Sequence, residues 1–81
     1  MNVGYYHYRQ IESMKIQRGD DGHYFDQVVI VKGELPVAPL PKLFKDEYVW
    51  VNSDGRASLA DDSDTYADLM AFQREVHNAH A

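Results

Sequence analysis

The side chains best able to act on another molecule in this 81-residue chain are carboxylates, and they are unevenly placed. From Asp46 onward, Asp46, Glu47, Asp54, Asp61, Asp62, Asp64, Asp68 and Glu75 face only Arg56 and Arg74. Through Lys45, the bases Arg9, Lys15, Arg18, Lys32, Lys42 and Lys45 nearly balance Glu12, Asp20, Asp21, Asp26 and Glu34. The net charge of −5 therefore resides in the C-terminal part. Such asymmetry steers association toward a basic surface and disfavours direct nucleic-acid binding by that part. Carboxylates spaced similarly to phosphates can also occupy a basic nucleic-acid channel on a partner protein. The residues expected to do this are Asp61, Asp62, Asp64, Asp68 and Glu75, with Asp46, Glu47 and exposed aromatics as secondary contacts. The plainer reading is a solvated acidic face that keeps a small protein in solution.

Other chemistries find less support. His77 and His80 stand three apart and can face one ion, but they lack a third fixed ligand, and favourable charge at a helix C-terminus explains them equally well. The run Asp61-Asp62-Ser63-Asp64 lacks the glycine and terminal glutamate of a calcium-binding EF-hand loop. Ser13, Ser53, Ser58 and Ser63 occur in no nucleophile elbow, and no phosphate loop or paired-carboxylate motif appears, so neither an enzyme nor a cofactor or metal is expected. Tyr5, Tyr6, His7 and Tyr8 beside Arg9 have the stacking-plus-basic composition of single-strand binders, although no RNA-binding motif accompanies them. Arg18-Gly19-Asp20 matches an adhesion tripeptide but reads as an ordinary turn.

The elements that must position these groups can be read from periodicity. Val28-Val29-Ile30-Val31 is an unbroken β-branched run, so Tyr24 to Lys32 reads as the central strand, either covered on both faces or at the middle of a sheet. Arg18 to Gly22 is a turn, which makes residues 5–17 an antiparallel strand paired with that run, with helix as the competing reading. On one face of it, alternation would place Tyr6, Tyr8, Met14 and Ile16. Pro36, Pro39 and Pro41 mark an extended connection packed on the domain; a Pro-x-x-Pro ligand for an SH3-type domain is the weaker alternative. Tyr48-Val49-Trp50-Val51, the Asn52-Ser53-Asp54-Gly55 turn and Arg56 to Leu59 form a second hairpin, with Trp50 more suited to the core than to a partner contact. A final helix, capped by Asp62 or Ser63, buries Tyr66, Leu69, Met70, Gln73 and Val76, with Phe72 flanking the stripe.

The expected architecture is α+β: a small antiparallel sheet of three to four strands with one C-terminal amphipathic helix packed on one face, in a single domain spanning 1–81. With no cysteine and little core, such a domain gains from a partner or from self-association. Met1 to Tyr5 does not read as a basic region followed by an apolar run, and no stretch approaches membrane length, so a soluble, cytoplasmic protein is expected. In size, acidity and lack of cysteine, the chain resembles the small inhibitors encoded by bacteriophages, anti-CRISPR proteins among them. This resemblance of overall character covers no aligned residues, and it implies inhibition of a nucleic-acid-handling protein. The competing readings are a homodimeric structural or accessory protein and a single-strand nucleic-acid binder using the N-terminal tyrosines.

Overall fold

The computed structural model describes residues 2–18, 24–39, 45–59 and 66–80. In chain order its elements are β1 (Gly4–His7), a 3-10 turn (Tyr8–Gln10), β2 (Ile11–Arg18), β3 (Tyr24–Ile30), a second 3-10 turn (Lys45–Glu47), β4 (Tyr48–Val51), β5 (Ala57–Leu59) and α1 (Tyr66–Ala79). They form an α+β fold with two antiparallel sheets, one of three strands in the order β1-β4-β5 and one made by the β2-β3 hairpin.

The centre of the larger sheet is β4, not the β-branched run. Val49 and Val51 are both 0% exposed, and β4 is bonded to a neighbour on each side. Strand β3 pairs with β2, while Val29 is 49% exposed, so the run is not covered on both faces. Its other edge is bonded to the larger sheet where the Val28 amide donates to the Gly55 carbonyl at 3.0 Å. Gly55 has a φ of +84°, which suits glycine in the turn between β4 and β5. Four consecutive apolar residues permit burial on both faces but do not compel it.

Residues 5–17 are extended, but two interruptions change which side chains share a face. His7 caps the first 3-10 turn: its Nδ1 accepts from the Arg9 amide at 3.2 Å, and the Gln10 Oε1 accepts from the His7 amide at 2.9 Å. The Gln10 Nε2 also donates to the Leu35 carbonyl at 2.8 Å, tying the turn to the chain that follows β3. Beyond it, β2 pairs Ile11 with Ile30 and Ser13 with Val29, leaving Glu12 as an extra residue in a bulge. A bulge shifts the alternation by one position. Ile11 and Met14, three apart, are therefore both buried, while Tyr8 and Ile16 pack against the core that holds Tyr6 and Met14, as the alternation expects.

One core joins the elements. Tyr6, Val49 and Val51 come from the larger sheet, Ile11, Met14 and Val28 from the hairpin, and Leu69, Phe72 and Val76 from α1. The helix reaches β2 and the first 3-10 turn. Gln73 fixes its register by donating from Nε2 to the Met14 carbonyl at 2.8 Å on the edge of β2 that faces away from β3. The expected apolar stripe is thereby corrected: Phe72 is buried, whereas Met70 is 40% exposed and Tyr66 is exposed. The proposed caps Asp62 and Ser63 lie outside the described residues. Among the described residues, no helix is long and apolar enough to cross a membrane.

Tyr6 brings a phenol into this core, where its hydroxyl donates to the Asn2 carbonyl at 2.8 Å. Burial pushes its pKa above the ordinary value of 10.0, so folding favours the neutral form. This contribution is fully present below pH 10.0 and is lost as the pH rises above that value through the folded pKa. Tyr6→Phe should cost about 1 kcal/mol at neutral pH through the lost hydrogen bond. It should also flatten the fall of stability on the alkaline side, as measured by urea midpoints on both sides of pH 10.0.

Candidate functional site

The pleat of the larger sheet divides its side chains into two sets. Tyr6, Val49 and Val51 enter the core, so the residues between them must face outward. Registration of β1 on β4 sets Tyr5 opposite Trp50 and His7 opposite Tyr48. The Tyr5 and Trp50 rings meet edge-on, with centroids 4.9 Å apart and planes at 73°. His7 and Tyr48 repeat that geometry at 5.0 Å and 71°. Tyr8, the first residue of the 3-10 turn and partly packed on the core, lies 4.2 Å from His7 with the rings tilted by 33°. The Arg9 guanidinium caps the row, 5.8 Å from the centroid of the Tyr8 ring. Trp50 is 38% exposed, so it is a surface residue rather than the core residue its type suggested.

Carboxylates gather at the His7 end of this row. The second 3-10 turn delivers Asp46 and Glu47 immediately before β4, and a Glu47 carboxylate oxygen lies 3.7 Å from the His7 Nε2. Glu75 arrives from α1. Together with Tyr8, these three acids line a cleft of about 310 Å³. On the other side of Tyr8 and Glu75 is a second cleft, of about 430 Å³, lined also by Arg9, Asn78 and Ala79. Tyr8 and Glu75 thus border both hollows, and among the described residues the charged groups of the first are all carboxylates. The three carboxylates make the first hollow unfavourable to a phosphate, and among the described residues no group of acids and histidines is placed to hold a metal ion.

Of the residues proposed from the sequence, Asp46, Glu47 and Glu75 are brought together here. Asp68 is half-buried on α1, two turns before Glu75, and does not line the cleft. Asp61, Asp62 and Asp64 lie outside the described residues, as does His23. His77 and His80 are exposed at the end of α1, where the His80 amide donates to the His77 carbonyl at 3.3 Å. Pro36 of the Pro-x-x-Pro segment is half-buried beside Gly4, and the next amide, that of Val37, donates to the Tyr5 carbonyl at 2.8 Å. The segment is therefore fastened along the free edge of β1.

The aromatic row itself was missed as a unit. Its signal lies in two matching alternations, Tyr5/His7 around Tyr6 and Tyr48/Trp50 around Val49, but it becomes visible only once β1 is paired with β4. Compared with protein-family models, with curated proteins and with solved structures, the chain matches none.

Proposed function

We propose that this chain is a small acidic protein-binding module that occupies a basic surface on its partner and inhibits a nucleic-acid-handling protein. The observation that supports it is the convergence of Asp46, Glu47 and Glu75 on one cleft beside Tyr8, although α1 and the second 3-10 turn are far apart in the sequence. In a chain of net charge −5, that cleft concentrates negative potential where an aromatic surface begins. Proteins that handle nucleic acid carry basic channels for phosphates, and carboxylates can compete for the same cations. Blocking the channel would be sufficient for inhibition, with no catalytic step.

Charge reversal tests this reading. Glu47 and Glu75 are not core residues, so Glu47→Lys and Glu75→Lys should each leave stability within about 0.5 kcal/mol. Each should weaken capture of the partner by about tenfold, chiefly by slowing association. The measurement is recovery of nucleic-acid-binding proteins on the immobilised chain from a nuclease-treated lysate, with DNA or RNA added as competitor. Loss of recovery with the double variant and with competitor is the expected result. Recovery indifferent to both would overturn the proposal, and recovery that nuclease abolishes would favour direct nucleic-acid binding.

A further inference from the structure

Half-exposed aromatic side chains on the outer face of a sheet demand an explanation when the opposite face already supplies the core. Tyr5 and Trp50, then His7 and Tyr48, form two cross-strand pairs on that face, and no helix of the described residues covers them: α1 packs on β2 and the first 3-10 turn. We infer that this face, with Glu47 at its edge, is a docking site for an arginine-bearing segment of a partner protein. The inference rests on the protein-binding function proposed above and specifies the chemistry that the site recognises.

Charge complementarity selects the occupant. A cation approaching the His7–Tyr48 end meets Glu47 directly and Asp46 and Glu75 just beyond it, while the rings of Tyr5 and Trp50 continue the surface. Aromatic faces attract cations through their quadrupoles, and tryptophan does so most strongly. Arginine suits the site better than lysine because its planar guanidinium can lie flat on a ring and present two parallel N–H groups to a carboxylate. The fold itself already sets one arginine against a ring, with the Arg9 guanidinium 5.8 Å from the centroid of Tyr8 at the end of the same row. A single-stranded nucleic acid could stack on these rings, but its phosphates would have to pass the carboxylates of Glu47 and Asp46. A second copy fits less well, because each chain carries a net charge of −5 and two such chains repel.

The test needs no knowledge of the natural partner, because Trp50 is the sole tryptophan and its fluorescence reports on the face directly. Titration with an oligoarginine peptide and with an oligolysine peptide of the same length, at matched ionic strength, should change Trp50 emission in both cases. Oligoarginine should bind about five- to tenfold more tightly. With a labelled peptide as the readout, Trp50→Ala should weaken oligoarginine by a similar factor and close most of the gap between the two peptides, while Glu47→Gln should weaken both. Trp50→Phe, which keeps a ring, should retain part of the preference and guards against a folding defect in the alanine variant. Equal binding of the two peptides would overturn the arginine site while leaving the acidic-surface reading intact, whereas failure to bind either peptide would remove both. Tighter binding of oligothymidylate than of oligoarginine would overturn the inference in favour of a nucleic-acid surface. Concentration-dependent burial of Trp50 with dimer formation in sedimentation would overturn it in favour of a second copy.

Discussion

Phe72→Ala is expected to remove about 3–5 kcal/mol of folding stability, the largest loss for a single truncation in α1. Phe72 is buried between Leu69 and Val76 on the helix face that joins Ile11 and Met14 of β2. Truncation deletes an aromatic ring from a small core and leaves a cavity that the hairpin cannot easily collapse to fill. A domain of 81 residues has a total stability of about 4–12 kcal/mol, so the loss amounts to about a quarter of it at the least and all of it at the most. Urea unfolding followed by circular dichroism and by Trp50 fluorescence measures the loss. Met70→Ala provides the contrast: two positions away but 40% exposed, it should cost less than about 1 kcal/mol. A greater cost at Met70 than at Phe72 would mean that the helix is turned as its apolar spacing suggests rather than as Gln73 holds it.

That contrast shows where sequence reasoning reaches and where it stops. The α+β class, the β2-β3 hairpin and the β4-β5 hairpin are legible because local chemistry specifies them: Asn52 to Gly55 is a turn by residue type, and Val49 and Val51 alternate cleanly with Tyr48 and Trp50. The helix is legible too, but its rotation is not. Tyr66 and Met70 fit the same stripe as Leu69 and Val76, and the tertiary packing of Leu69, Phe72 and Val76 in the core, with the bond from Gln73 to the Met14 carbonyl, decides among them. The break at Tyr8–Gln10 and the bulge at Glu12 were likewise hidden, since Gln10 and Glu12 read only as polar interruptions. Their effect is large, because each re-aims the aromatic and apolar residues that follow.

The candidate site divides in the same way. Charge asymmetry marked Asp46, Glu47 and Glu75, but nothing local says that α1 carries Glu75 back to the turn before β4. Trp50 looked like a core residue by type, and its outward direction follows from β4 being the central strand with both valines inward. Aromatics are large enough to be core or contact surface, so pairing rather than identity settles their role. The acidic cleft and the aromatic row were two separate signals in the sequence. The fold makes them adjacent through His7, which touches Tyr8, Tyr48 and Glu47.

The edge of that aromatic face depends on a glycine, and Gly4→Ala is expected to cost about 1–3 kcal/mol. A β-carbon at Gly4 would come within 2.5 Å of the Pro36 Cβ and 3.0 Å of its Cγ. A proline ring cannot rotate out of the way, and the next residue is held in place by the 2.8 Å bond from the Val37 amide to the Tyr5 carbonyl. Relief therefore requires the Pro36–Val37 segment to move off β1, exposing the Val37 amide and leaving the Tyr5 carbonyl without that donor. Amide hydrogen exchange should register this as a loss of protection at Val37 larger than that at the β4-β5 pairing. Pro36→Gly removes the obstructing ring, so in combination with Gly4→Ala the destabilisation should be less than the sum of the two single costs by about 1 kcal/mol. Strict additivity would mean that the two residues are not in contact. Gly33 supplies the opposite control: a β-carbon there meets nothing within 4 Å, so any cost of Gly33→Ala must come from its φ of +90° rather than from packing. If Gly4→Ala loosens Val37 without moving the Trp50 emission, the proline segment braces the edge of the sheet alone; a shift in that emission would mean that it also sets Tyr5 against Trp50.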